Sequence, residues 1–190
     1  MRRAIDLRWH WLPLALVVGL AAGIRCYRLD AGDITAVEAF SWRLVRCPVS
    51  ELIERTAADT HPPGYYLLLK AWVSVWGDSL AALRSLSVVF GVLGVVAVYG
   101  LCVGTARWGL QHAPERARRV QLGALLGCVL VGFDAPQIEY SRSARMYALG
   151  VLLAATTAWL AVKALSAPKR PAAWWGTYGL AVGAFCWTHN

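Results

Sequence analysis

Long apolar runs separated by short polar intervals make up most of this chain. A helix needs roughly 17–25 mostly apolar residues to cross the hydrocarbon core of a bilayer. With their flanking residues, five runs meet or approach this length, and they cover residues 11–24, 80–105, 120–133, 146–165 and 174–187. The pattern therefore predicts an all-α membrane protein with about five transmembrane helices, in which residues 1–190 form a single membrane domain.

Another apolar stretch, residues 64–77, is too short for a span and contains Lys70. We expect an interfacial or re-entrant helix there, which Pro62 and Pro63 open and Gly77 closes. Residues 38–45 and 50–58 have the pattern of short amphipathic helices that rest on a bilayer surface. All three helices then belong to one long outer loop over residues 28–79.

Composition and charge support this topology. The chain is 58% hydrophobic and 16% charged, whereas a soluble domain is about half apolar and a quarter charged. With five spans and a cytoplasmic N-terminus, the inner segments hold ten basic and two acidic residues, which is the whole net charge of +8. The positive-inside rule favours this arrangement, so we expect a multi-pass protein of the plasma or inner membrane. The basic run at residues 116–119 then marks topology, and nucleic-acid binding is not expected.

Two polar clusters interrupt the apolar pattern and share the outer side in this topology. The first is Thr-His-Pro-Pro-Gly-Tyr-Tyr at residues 60–66, and the second is Tyr-Ser-Arg-Ser-Ala-Arg-Met-Tyr at residues 140–147. Charged side chains near a membrane boundary are costly unless they are paired or hydrated, so they are candidates for function. We expect the two clusters to form one site at the outer edge of the bilayer.

The candidate binding residues of this site are cationic and aromatic. Arg142 and Arg145 suit a phosphate, because a guanidinium matches phosphate oxygens; the alternative is that they pair with nearby carboxylates. His61 stands before two prolines that fix its direction, and its alternative role is helix capping. Tyr65, Tyr66 and Tyr147 could contact a sugar or a polyprenyl chain, or could be ordinary aromatic residues of the membrane interface.

Glu38 and Asp33 are the candidate catalytic carboxylates of the outer loop. Either could act as a general base, although Glu38 also suits the start of a helix and Asp33 could be a solvated loop residue. With Asp30 and Asp59, Asp33 could instead bind a divalent cation. The sequence shows no zinc spacing, Walker loop, dinucleotide fingerprint or GxSxG elbow, so no cofactor is expected and only a divalent cation stays open.

The order of the motifs resembles a known family. The motifs are Arg28-Leu29, Glu38-Ala39-Phe40-Ser41-Trp42, His61-Pro62-Pro63-Gly64-Tyr65-Tyr66, Leu83-Arg84-Ser85 and the segment from Pro136 to Tyr147. Together they are similar to the polyprenyl-phosphate-sugar-dependent membrane glycosyltransferases with the C-type glycosyltransferase fold, which include enzymes of the protein O-mannosyltransferase and aminoarabinose-transferase types. The resemblance runs from about Arg28 to the end of the chain and covers the N-terminal half of such a fold.

The resemblance implies transfer of a sugar from a polyprenyl-phosphate donor to an acceptor at the outer leaflet, with arginines on the donor phosphate and a carboxylate as base. Its implied partners are the lipid-linked sugar, membrane lipid, and a C-terminal half or another membrane subunit. Two positions differ from the family pattern: Val37 stands where the catalytic Asp is usual, and Ser143 where Glu is common. The alternative is therefore a non-catalytic membrane module that binds the lipid phosphate or a partner half.

Overall fold

The computed structural model describes residues 8–59, 61–109, 117–166 and 171–188, and within them every regular element is a helix. This confirms the predicted all-α class. The helices are α1 (Arg8–Cys26), α2 (Ala36–Arg46), α3 (Val49–Ala57), α4 (Gly64–Trp76), α5 (Leu80–Gly109), α6 (Ala117–Phe133), α7 (Ala135–Ser141), α8 (Tyr147–Ser166) and α9 (Pro171–Thr188). Each of the five long apolar runs lies in a helix: α1, α5, α6, α8 and α9.

Among the described residues, two helices are long and apolar enough to cross a membrane, Leu80–Ala106 and Tyr147–Ser166. A third crossing is present if α6 and α7 count as one span bent by 60°, and Trp11–Cys26 is a shorter apolar helix. The structure therefore gives two or three candidate spans where the sequence predicted five. The topology prediction also used charged residues that lie outside the described residues: Arg2, Arg3, Asp6, Glu115, Arg116, Lys169 and Arg170. Thr60 of the first polar cluster lies outside them as well.

The helices of the first polar interval occur where the pattern predicted them. α4 is 13 residues long and ends at Gly77, whose φ of 79° lies in the left-handed region that glycine adopts without strain. Its Tyr65, Tyr66 and Leu69 are fully buried. One side of α4 therefore packs against the bundle, and the interfacial or re-entrant placement stays a prediction.

α5 is the central helix, and it packs against α8 and α6. Several glycines of α5 lie at its contacts with neighbouring helices. A Cβ atom on Gly94 would lie 3.9 Å from the backbone of Leu152, and one on Gly104 would lie 3.1 Å from the Trp159 ring. At Gly91 a Cβ atom would fall 2.1 Å from the Ser141 hydroxyl oxygen. Glycine at this position lets the end of α7 rest directly on α5.

The break between α6 and α7 places α7 across one end of the bundle. Asp134 ends α6 and caps α7, since its carboxylate accepts a hydrogen bond of 3.2 Å from the Gln137 amide. Arg25 holds the break from α1: its Nη1 donates to the Gly132 carbonyl at 2.7 Å, and its Nε donates to Ser141 Oγ at 3.1 Å. At this same end lie the C-terminus of α1 and the N-termini of α5 and α8.

Candidate anion-binding site

Four arginines gather at this end of the bundle: Arg25, Arg84, Arg142 and Arg145. Arg25, Arg84 and Arg142 each donate hydrogen bonds to backbone carbonyls. Arg142 donates to the carbonyls of Ile24 at 3.0 Å and Tyr27 at 2.6 Å, and also to those of Arg25 and Arg28. These carbonyls belong to the last turn of α1 and the turn that follows, where a helix leaves acceptors unpaired. Arg142 therefore caps the end of α1, and its predicted role in phosphate binding stays untested.

Arg84 and Glu38 form a buried, two-pronged ion pair. Arg84 Nε donates to Glu38 Oε1 at 2.8 Å, and Arg84 Nη2 donates to Oε2 at 2.9 Å. The remaining N–H groups of Arg84 bind the carbonyls of Leu29, Ala31 and Asp33 at 3.0–3.2 Å. The pair thus joins α5, the loop before α2, and α2 itself.

The Glu38 carboxylate has two further sets of donors. Its Oε2 accepts from the Thr35 amide at 3.1 Å and from the Thr35 hydroxyl at 3.0 Å, which completes a capping box at the start of α2. Its Oε1 accepts from the Ala144 amide at 3.2 Å. Residue 38 therefore connects the outer loop to the second polar cluster, over 106 residues of sequence.

This environment lowers the pKa of Glu38. Burial alone would raise the pKa of the carboxyl, but the hydrogen bonds from Arg84, Thr35 and Ala144 and the positive charge of Arg84 outweigh it and hold the pKa at about 2. A carboxylate with so low a pKa is a weak proton acceptor at neutral pH. The geometry therefore favours a structural role for Glu38, while its predicted catalytic role stays untested.

Arg145 differs from the other three arginines. It is 6% exposed, and its Nη1 donates to the Tyr66 hydroxyl at 3.1 Å. Its Nη2 lies 3.4 Å from His61 Nε2, and its guanidinium carbon lies 5.9 Å from the centre of the Tyr147 ring. Its Nε is buried and has no hydrogen-bond partner among the described residues, and no carboxylate there forms an ion pair with it.

Tyr65, Tyr66 and His61 hold Arg145 from the side of α4. The Tyr65 hydroxyl lies 3.0 Å from Ser87 Oγ, which donates to the Arg145 carbonyl at 3.2 Å. Burial raises the pKa of both tyrosines, so both stay protonated at neutral pH. His61 Nδ1 lies 3.5 Å from Asp59 Oδ2. Since Arg145 can only donate, His61 Nε2 must act as the acceptor.

An open cavity of about 630 Å³ lies beside Arg145. Its wall includes Val37 and Ser143, together with Glu38 and three of the four arginines, Arg84, Arg142 and Arg145. It is lined by Ala31, Thr35, Val37, Glu38, Arg84, Ala135, Ile138, Glu139, Tyr140, Arg142, Ser143, Arg145 and Tyr147. Asp33 is exposed, and its side chain is not part of this wall.

The structure thus brings together five of the eight predicted site residues: His61, Tyr65, Tyr66, Arg145 and Tyr147. Glu38 and Arg142 lie beside them but are engaged in protein contacts, and Asp33 is apart. The sequence did not single out Arg84 as a site residue, although a charge at the start of an apolar helix was the signal for it. Within the described residues, no group of three His, Cys, Asp or Glu side chains could hold a metal ion.

Comparisons with known proteins add no family to this description: no protein-family model, curated protein or solved structure matches the chain.

The depressed pKa of Glu38 predicts how stability depends on pH. The stabilisation is complete above the ordinary carboxyl pKa of 4.5 and is lost as the pH falls toward about 2. It amounts to about 3 kcal/mol, from roughly 1.4 kcal/mol per pKa unit. Glu38→Gln also leaves Arg84 without its counter-charge, so it should destabilise the protein by about 3 kcal/mol at pH 7.

Tryptophan fluorescence during unfolding in detergent measures this effect. The wild-type and Glu38→Gln proteins should differ most above pH 5 and converge near pH 2. The exposed Glu54→Gln variant should keep the wild-type pH dependence. Parallel curves for Glu38→Gln and the wild type over the whole range would contradict the role of this carboxylate.

Proposed function

We propose that this protein is a glycosyltransferase-like membrane protein whose cavity binds the phosphate head group of a polyprenyl-phosphate-linked sugar. The observation that carries the proposal is Arg145. A buried guanidinium without a carboxylate partner is costly, because burial removes its water and its neutral partners, Tyr66 and His61, supply no counter-charge. A phosphate in the cavity would supply the missing charge.

The surroundings of Arg145 favour a lipid-linked anion over a free one. The site lies at the end of an apolar bundle that contains helices long enough to cross a membrane. A phosphate on a polyprenyl chain would reach this depth while its chain stayed in the hydrocarbon region. Tyr66 and His61 direct the Arg145 guanidinium, so the charge is already oriented before the ligand arrives.

Replacing Arg145 tests the phosphate site. We expect Arg145→Gln to lower photolabelling by a benzophenone-bearing farnesyl phosphate by about 10–100-fold, since hydrogen bonds to charged groups contribute roughly 1.5–3 kcal/mol. Arg145→Lys keeps the positive charge but loses the planar, two-pronged donor geometry of the guanidinium. Its photolabelling should lie between that of the wild type and that of Arg145→Gln. The measurement is labelling of purified protein in lipid nanodiscs, with farnesyl phosphate as competitor.

Arg55→Gln is the matched control, because Arg55 is exposed and pairs with Glu51 outside the cavity. It should label like the wild type. Unfolding midpoints of every variant show whether the protein is folded. If Arg145→Gln folds and labels as strongly as the wild type, the phosphate site is refuted. If Arg145→Gln does not fold, equal labelling of Arg145→Lys and the wild type would refute it.

Sugar transfer is the second step of the proposal. It depends on a general base, and Val37 stands at the position where the resemblance expects that base. Val37 is half exposed on the cavity wall, and valine cannot accept a proton. With its pKa at about 2, Glu38 is a poor base, so the described cavity favours donor binding, and transfer would need a base at another position. The alternative of a non-catalytic binding module therefore stays beside the transferase, separated by the next experiment.

Val37→Asp should place a carboxylate at the position where the resemblance expects the catalytic Asp. If the scaffold is a transferase, we expect release of farnesyl phosphate from farnesyl-phosphoryl-mannose in native membranes to rise by about 10²–10⁴-fold, the usual contribution of a general base. Val37→Asn has the same shape without a proton acceptor and should show no rise. Arg145-dependent labelling without any gain from Val37→Asp would favour the binding module.

The proposal includes five membrane crossings (α1, α5, α6, α8 and α9), a cytoplasmic N-terminus and a site that faces outside. It is supported by the distribution of basic residues and by the meeting of both polar clusters at one end of the bundle.

In a cysteine-free background, an impermeant maleimide should label Glu54→Cys and Pro136→Cys in intact cells. Glu115→Cys should react only after permeabilisation, and the reverse pattern would overturn the orientation.

A further inference from the structure

One face of α7 supplies much of the cavity wall. Ala135, Ile138, Glu139 and Arg142 are spaced three and four residues apart, so their side chains lie along one side of the helix. All four line the cavity. The Asp134 cap fixes where α7 begins, and the Arg142 guanidinium ties its end to α1. The direction of Glu139 into the cavity is therefore set by the fold at both ends of the helix.

Glu139 is the carboxylate of this wall that has no structural task. Glu38 is held by Arg84, and Asp134 caps α7. In the described parts of the chain, by contrast, no hydrogen bond or ion pair involves the Glu139 side chain, which is exposed to the cavity. A carboxylate only accepts hydrogen bonds, so its complement is a group that carries several donors.

Two tyrosines flank this carboxylate. The rings of Tyr140 and Tyr147 have centroids 4.9 Å apart and are tilted by 39°, and both line the cavity. Ser143 adds a hydroxyl to the same wall. Aromatic faces with a few placed polar groups are typical of sites for small organic ligands. Apolar C–H faces and several hydroxyl donors occur together on a sugar ring.

We infer that Glu139 is a further ligand-binding residue, whose carboxylate accepts hydrogen bonds from the hydroxyl groups of a sugar ring that rests against Tyr140 and Tyr147. The inference rests on the proposed function, because Arg145 would hold the phosphate of the same ligand on the same wall. It adds the direction of the sugar, which extends from Arg145 toward α7.

Glu139→Gln should act in opposite directions on two probes. For farnesyl phosphate, the variant removes a negative charge from the cavity that holds the anion, so we expect binding about two- to fivefold tighter. For farnesyl-phosphoryl-mannose and farnesyl-phosphoryl-glucose, it replaces charge-assisted hydrogen bonds by weaker ones, so binding should weaken by about tenfold. Both are measured by competition with the benzophenone-bearing label in nanodiscs.

Glu54→Gln is the control, since it makes the same chemical change at an exposed position outside the cavity, and it should change neither affinity. Glu139→Ala repeats the test without an amide. Unchanged affinities in both Glu139 variants, or a change of the same sign for the bare and the sugar-bearing lipids, would overturn the role of Glu139 alone. If Arg145→Gln leaves the binding of all probes unchanged, the phosphate site itself fails, so the two failures are distinguishable.

Discussion

The ion pair between Glu38 and Arg84 is the interaction on which this end of the molecule depends. Its two side chains are almost fully buried, and removing either one would leave a charge without compensation. Through the carbonyls of Leu29, Ala31 and Asp33 and the amide of Ala144, the pair fixes two distant polar segments against α5. The cavity is the space that remains between these fixed segments.

A division among the arginines follows from this arrangement. Arg25 supports the break between α6 and α7, Arg84 holds the loop before α2, and Arg142 caps α1. Each satisfies backbone oxygens that an apolar bundle end would otherwise leave unpaired. Arg145 alone among the four combines burial with an unpartnered Nε among the described residues. Arginine thus serves both as a structural residue and as the candidate binding group. The hydrogen-bond partners of each side chain distinguish these two roles.

The proposed division of the cavity follows the same reasoning. Arg145 lines the cavity beside His61 and Tyr66, and Glu139 of α7 lines it together with the aromatic pair of Tyr140 and Tyr147. A ligand with an anionic phosphate and a hydroxyl-rich ring would match both. Val37 and Ser143 line this space too, so under the proposed function they would lie beside a bound ligand.

The sequence by itself determined the helical class, the positions of the long apolar helices and the short length of α4, because apolar run length and helix-ending residues are local properties. It also indicated that the two polar clusters carry the chemistry. The partner of each side chain was not local: Glu38 meets Arg84 across 46 residues, and Arg142 meets the end of α1 across more than 110. Only the tertiary structure decided that Arg142 caps a helix, that Glu38 pairs with Arg84, and that Arg145 is buried without a carboxylate partner among the described residues, because the role of a charge depends on which opposite charges and carbonyls the fold brings within hydrogen-bond distance.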